Sequence, residues 1–170
     1  MNAIVAVDAS WGIGFNNKLL VSIKEDLRNF ARLTKGKTVI YGSRTLATFP
    51  GAEPLKGRTN IILTRKTGLS FANALVAHSV EEALELVSGV PSDDVFVIGG
   101  ESVYRQCLPY CDCCYVTKIN RDFEKDVYFP DLDASGDWAL CYRSAAKYSS
   151  PETDGIGGLE YFFAKYRRND

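Results

Sequence analysis

Apolar residues along the chain fall into two rhythms. The first is a set of short, nearly unbroken runs at residues 3–7, 38–42, 60–64, 75–77, 94–100 and 113–119. They are rich in β-branched residues and end at Gly, Asp, Thr or charged residues, which predicts strands buried on both faces, as in a parallel sheet. The second rhythm has helical spacing. At about 100° per residue, Ile23, Leu27, Phe30 and Leu33 share one face of residues 22–35, and Lys24, Glu25, Arg28 and Arg32 share the other. Ser22 with Glu25 has capping-box spacing, and Gly36 is a natural stop. A second box, Ser79 with Glu82, opens a helix that Ala83, Leu84 and Val87 carry to residue 88. Shorter helices are predicted from Gly42 to Phe49, where Pro50-Gly51 stops the chain, and after Gly100 from Glu101 to Gln106.

The end of the chain reads differently. Residues 126–130 lead out of the sixth strand into a loop. Residues 138–148 and 159–166 alternate as two long strands, with a Gly-, Pro- and Asp-containing stretch between them, which predicts an antiparallel hairpin at a sheet edge. The expected fold is α/β: a three-layer sandwich with a mostly parallel central sheet of about eight strands, the antiparallel C-terminal hairpin at its edge, and helices on both faces. No repeat or linker interrupts residues 1–170, so a single domain is expected.

One residue breaks the sorting of the 22–35 helix. Asp26 falls on the apolar face, between the directions of Phe30 and Leu33. Burying an ionised, unpaired carboxylate costs several kcal/mol. Two readings fit: a first-turn Asp that favours the helix dipole and reaches water, or a carboxylate whose partner is a ligand. Three junctions bear on the choice. Residues 8–21 form a long loop rich in Gly and Asn, of the kind that serves as a binding loop or lid. Gly42-Ser43-Arg44-Thr45 brings hydroxyls and a cation to a helix start, and Gly99-Gly100 lets a backbone approach a flat or charged ligand. Each also has an ordinary use as a cap or tight turn, and a GxGxxG fingerprint is absent.

Charge and cysteines narrow the classes. With 20 Lys and Arg against 21 Asp and Glu, the net charge of −1 offers no basic stripe for nucleic acid or a membrane surface. Neither a secretory leader nor a membrane-length apolar run is evident, so a cytoplasmic location is expected. Five cysteines (Cys107, Cys111, Cys113, Cys114 and Cys141) lack disulfide or CxxC zinc spacing, and the single histidine, His78, is remote from them. Buried reduced thiols and no metal are expected.

The ordered set of motifs resembles the dihydrofolate reductase family over essentially the whole chain. The set runs Ile4-Val5-Ala6, Gly12-Ile13-Gly14 with Asn17, Asp26-Leu27 and Phe30, and Val39-Ile40-Tyr41-Gly42 with Arg44-Thr45. It continues with Gly57-Arg58, residues 60–65, Val97-Ile98-Gly99-Gly100 with Val103-Tyr104, Tyr115-Val116-Thr117, Asp126 and Phe129-Pro130. The resemblance implies reduction of 7,8-dihydrofolate to tetrahydrofolate with NADPH, supplying one-carbon metabolism. It implies that Asp26 is the catalytic carboxylate, holding the pterin and supporting protonation of N5 while NADPH delivers hydride to C6. Thr117 would reach the same end of the pterin through water, Ile4 and Ile98 would offer carbonyls, and Arg58 would pair the glutamate tail. Val5, Ala6, Leu19, Leu27, Phe30 and Tyr104 would complete the substrate site.

For the cofactor, the resemblance implies backbone contacts from Ala6 and Ile13 to the carboxamide, and close passage of Gly99 and Gly100. Arg44 and Thr45 would sit on the pyrophosphate, and Thr64 and Arg65 on the 2′-phosphate. Gly14, Asn17, Leu19, Gly42, Ser43, Leu63, Ile98, Glu101, Ser102, Val103 and Tyr104 would lie along the same ligand. His78 falls at the adenosine end, either as a 2′-phosphate contact or as a surface histidine. Antifolates such as methotrexate or trimethoprim and a monomeric state are also implied. The chain departs from the family pattern at Leu20-Val21, where Pro-Trp is usual, at Lys24, where Pro is usual, and at Gly42-Ser43-Arg44-Thr45, where Gly-Arg-x-Thr is usual. Two alternatives remain: a fold relative reducing a riboflavin-pathway pyrimidine, and a non-catalytic NADPH- or folate-binding protein.

Overall fold

A computed structural model describes residues 1–169; the last residue of the expected domain lies outside them. In chain order the elements are β1 (Asn2–Val7), β2 (Gly12–Phe15), β3 (Lys18–Leu19), α1 (Lys24–Thr34), β4 (Thr38–Gly42), α2 (Ser43–Leu46), β5 (Thr59–Leu63), β6 (Ala74–Ala77) and α3 (Val80–Leu86). They continue with β7 (Val95–Gly99), α4 (Glu101–Cys107), β8 (Cys113–Ile119), β9 (Val127–Tyr128), β10 (Trp138–Arg143), β11 (Lys147–Tyr148), α5 (Pro151–Asp154) and β12 (Glu160–Arg168). The backbone divides into two compact units: residues 1–3 with 34–111, and residues 4–33 with 112 onward.

In the first unit the start of β1 pairs with β7, and β7, β4, β5 and β6 follow in that order, every pairing parallel. Val39, Ile40, Ile61, Ile62, Val95 and Val97 are all buried. These are the unbroken apolar runs of the sequence, as strands covered on both faces require. Asn60 locks the chain leading into β5. Its amide donates to the carbonyls of Leu55 and Arg58 and accepts from Leu55 N–H and the Tyr41 hydroxyl. Burial pushes the Tyr41 hydroxyl up to about 12. At α3, Ser79 Oγ accepts Glu82 N–H at 3.1 Å, as the capping box predicts. The Glu82 carboxylate, however, accepts the N–H of His78 at 2.6 Å, one residue earlier than the usual box.

In the second unit β12 pairs antiparallel with β8 from Tyr161↔Ile119 to Arg167↔Cys113, and with β10 on its other side. The predicted strand over 138–148 is interrupted. Ser144 turns inward there, donating its N–H to the Phe163 carbonyl and accepting Phe163 N–H on Oγ, so β10 and β11 are separate pieces along β12. The predicted loop over 8–21 contains a hairpin. Asn16 and Asn17, at φ 49° and 59°, form the two-residue turn between β2 and β3, with the positive φ that a type I′ connection requires. β9 adds to β2, giving a three-stranded antiparallel sheet, β3-β2-β9. Parallel strands, an antiparallel hairpin and intervening helices make this the expected α/β class. Cys107, Cys111, Cys113 and Cys114 are buried, and burial pushes the Cys107 thiol up to about 11. Cys141 is exposed, because β10 faces solvent beyond Trp138.

Candidate active site

In the second unit, α1 starts two residues after the predicted box. Its opening amide, Lys24 N–H, donates to Asp154 Oδ1 at 2.7 Å, and Asp154 Oδ2 accepts Ser150 N–H at 2.9 Å. Ile23, buried with Ile119 and Tyr161, fixes the entry to the helix. The face predicted to be apolar is not packed away. Thr34 is the only buried residue of α1, Leu27 is 46% exposed, and Phe30 and Leu33 are half-buried. Asp26 is half-buried on that accessible face. Thr117 Oγ1, itself buried in β8, donates to Asp26 Oδ1 at 2.5 Å. Burial raises the Asp26 pKa, and the Thr117 hydrogen bond works against the rise. The neighbouring Glu25 shifts the other way. Lys147 at 2.7 Å and the Tyr161 hydroxyl at 2.8 Å hold its carboxyl below the ordinary range. Two consecutive carboxylates on one helix are therefore set to opposite charge preferences. Ile4 and Val5 are buried and Ala6 is half-buried along β1.

The β2–β3 hairpin carries Ile13, Gly14, Asn17 and Leu19, the last 65% exposed. Asp8 anchors it. This fully buried carboxylate accepts Ser10 N–H at 3.0 Å and Gly12 N–H at 2.7 Å on Oδ1, and Phe123 N–H at 3.0 Å and the Lys125 ammonium at 2.5 Å on Oδ2. Lys125 also pairs with Asp122, which accepts from Ser10 Oγ. A Cβ at position 12 would collide with the Lys125 side chain, so the network needs glycine there. Asp126 closes the far end, accepting Asn16 N–H at 3.0 Å and giving its own N–H to the Gly14 carbonyl at 3.1 Å.

The first unit holds the other predicted site residues. Gly99 ends β7 at φ 136°, a conformation that favours glycine, and Gly100 caps α4. A Cβ on either would sit 3.4 Å from Thr45 Oγ1, so the diglycine and the α2 threonine lie in close approach. Gly42 and Ser43 lead into α2, where Arg44 is exposed. Leu63 ends β5 and is followed by buried Thr64 and exposed Arg65. Exposed His78 donates from Nδ1 to the Thr64 carbonyl at 2.9 Å, the only role open to a ring nitrogen facing a carbonyl. Val103 and Tyr104 are buried in α4, Ser102 is exposed there, and Glu101 pairs with Arg105 at 3.0 Å. Ile98 is half-buried in β7. Arg58 is pinned: Nε and Nη2 donate to Thr34 Oγ1 at 3.2 and 3.1 Å, and Nη1 donates to the Lys56 carbonyl at 2.8 Å.

A family model described as dihydrofolate reductase matches residues 1–168. The chain belongs to the dihydrofolate reductase family. The Staphylococcus haemolyticus dihydrofolate reductase is 38% identical over 168 residues, covering 99% of this chain and 95% of that protein. The Bacillus subtilis dihydrofolate reductase is 36% identical over 137 residues, covering 81% and 79%. Among solved structures, an Enterococcus faecalis dihydrofolate reductase complexed with NADP(H) and RAB-propyl superimposes with a TM-score of 0.83 at 32% identity, over 99% of this chain and 96% of that one.

Sequence reading of this dihydrofolate reductase chain missed Asp8, Lys125, Asp154 and Thr34. The available signals were slight: an Asp directly after a buried strand, and a glycine four residues on. Their partners lie 115 to 130 residues away along the chain, or 24 in the case of Thr34 and Arg58, beyond the reach of periodicity.

Proposed function

We propose that this chain reduces 7,8-dihydrofolate to 5,6,7,8-tetrahydrofolate with NADPH, and that both units belong to one dihydrofolate reductase domain. Family membership over residues 1–168 supports the reaction class. The single observation that carries the mechanism is Asp26: a carboxyl with a raised pKa on an accessible apolar helix face, held by Thr117. NADPH, when bound, supplies the hydride. Asp26 accepts hydrogen bonds from the pterin amino group and ring nitrogen. Its raised pKa keeps a larger protonated fraction near neutrality, which favours delivery of the N5 proton. Thr117 orients the carboxyl. Leu27 and Phe30 give the ring an apolar surface, which limits water around the reacting atoms. Ile4, Val5, Ala6, Leu19, Ile98 and Tyr104 complete the substrate site, and Arg58, pre-positioned by Thr34, takes the glutamate-tail carboxylate.

The first unit suits a dinucleotide phosphate. The Gly99–Gly100 backbone beside Thr45 presents no side chain of its own, and Arg44 and Arg65 stand exposed as cations. We assign Arg44, Thr45, Gly42 and Ser43 to the pyrophosphate, and Thr64, Arg65 and Leu63, with His78, to the adenosine 2′-phosphate end. Gly99, Gly100, Ala6, Ile13, Gly14, Asn17 and Leu19 fall to the nicotinamide end, and Glu101, Ser102 and Val103 to the α4 start. Antifolates are the further ligands this reading implies, and the relative complexed with NADP(H) and RAB-propyl supports the cofactor assignment. A cytoplasmic monomer is the reading that family resemblance implies, and the net charge of −1 without a basic stripe argues against nucleic acid or an anionic membrane surface as a partner. Among the described residues, no helix is long and apolar enough to cross a membrane.

The test is NADPH absorbance with purified protein and dihydrofolate. A steady fall that needs both ligands and stops with methotrexate supports the reading. NADPH binding without turnover would leave the non-catalytic alternative, and turnover of a pyrimidine substrate alone would leave the other.

A further inference from the structure

The second unit contains a cavity of about 170 Å³ that Asp26, Leu27 and Phe30 do not line, although Ile4 and Thr117 of the proposed substrate site do. Its walls come from Ile4 of β1, from β8, β10 and β12, and from one flank of α1. Asn29 and Arg32 of that flank lie roughly 100–160° around the helix from Leu27 and Phe30, which do not line it, while Leu33 of the apolar face does. The floor is the β8–β12 backbone at Val116 and Ala164, whose own side chains are buried on the opposite face of the sheet from Tyr115, Thr117, Phe163 and Lys165. Tyr115, Tyr142 and Phe163 supply aromatic walls. An apolar cavity of roughly 150 Å³ accepts one benzene ring, so this volume fits one six-membered ring and little more.

The polar lining has one sign. Arg32 is exposed at the rim, and its Nη2 donates to Asn29 Oδ1 at 2.8 Å, which leaves other guanidinium donors. Lys165 is half-buried, its ammonium 5.0 Å from the Tyr115 ring centroid. Among the described residues, no carboxylate lines the cavity. Two cations beside an aromatic slot select a planar ring carrying an anion, with the ring inside and the charge between Arg32 and Lys165.

We propose that this cavity is a binding site for monocyclic aromatic carboxylates, adjoining the Asp26 face but able to fill while that face is occupied. The ring stacks between Tyr115, Phe163 and Tyr142, and the carboxylate pairs with Arg32 and Lys165. A ligand this small has a Kd of roughly 0.1–1 mM. Ile4 and Thr117 are shared: both line the cavity, Ile4 belongs to the proposed substrate site and Thr117 donates to Asp26, so the two sites touch through two residues.

The test is an NMR titration of the full chain with benzoate, run on the protein alone and again with saturating NADPH and methotrexate. The expected result is one-site binding with shifts centred on Asn29, Val116, Phe163 and Ala164, retained in the second sample. Benzamide should bind about tenfold more weakly, and Lys165→Met with Arg32→Gln should weaken benzoate by about tenfold or more. Asn29→Phe, a change at the helix surface that fills the slot, should abolish binding without altering dihydrofolate turnover. Loss of the shifts when methotrexate is added would place benzoate on the Asp26 face and overturn the proposal. Equal affinity for benzoate and benzamide, or no binding at about 10 mM, would overturn it too.

Discussion

Asp8 and Asp26 are both withdrawn from water in the same unit, and their surroundings differ. Asp8 is fully buried and receives four donors from its own chain: three backbone amides and the Lys125 ammonium. Asp26 is half-buried and receives one, the Thr117 hydroxyl. The fully served carboxylate has its charge matched and its position fixed, so it ties the residues before β2 to the residues before β9. The under-served carboxylate has its ionisation pushed by burial, with acceptor capacity left for something else. Neither burial nor residue type alone separates structural from chemical aspartates. The number and origin of the donors does.

The comparison breaks most sharply at Asp26. On the proposed mechanism, Asp26→Asn lowers turnover by about 10²–10³-fold with NADPH binding by fluorescence little changed. Normal turnover would make Asp26 a second structural carboxylate. Asp8→Ala should act on stability. Three amides lose their acceptor at about 1 kcal/mol each, so urea unfolding should show a loss of about 3 kcal/mol. A shift well under that would mean the network is replaceable by water. A third substitution tests the cofactor end: Arg65→Leu should weaken NADPH by about tenfold and leave NADH nearly unaffected. Equal losses would remove Arg65 from the 2′-phosphate.

The smallest effects are those of pH. The folded-state pKa of Asp26 lies above its unfolded value, so its contribution to stability is present below the unfolded carboxylate range and is lost as pH rises through the folded pKa. At pH 7 the native protein bears the cost of the buried charge, and Asp26→Asn should raise Tm by about 2 °C, with less gain at acid pH. Thr117 opposes the upward shift, so Thr117→Val should move the falling limb of the pH–turnover profile to higher pH. A limb that moved down would show that Thr117 does not stabilise the carboxylate.

Much of the frame was legible in the sequence. Residues 38–42 and 113–119 read as strands with the bounds observed, because strands covered on both faces leave unbroken apolar runs. Asp26 stood out for the same reason, as a charge in an apolar stripe. The reading failed where the decisive partner lies far along the chain. Ser22 and Glu25 have a capping-box spacing, yet Lys24 N–H is taken by Asp154, and Glu25 turns to Lys147 and Tyr161. Residues 8–21 looked like a plain loop because two asparagines hid a tight turn that Asn-Gly would have announced. The exposure of Leu27 was also unreadable, since helical periodicity marks a face as apolar without saying what covers it.

The cap on α1 has a consequence for synthesis. Asp154 follows Lys24 by 130 residues, and the strand that brings Tyr161 to Glu25 follows later still. A nascent chain emerging from the ribosome therefore exposes the helix bearing Asp26 long before either tether exists. Until the segment from Asp154 to Arg168 has cleared the exit tunnel, that helix lacks both its amino-terminal lock and its β12 partner, and catalytic competence arrives as a late event of translation.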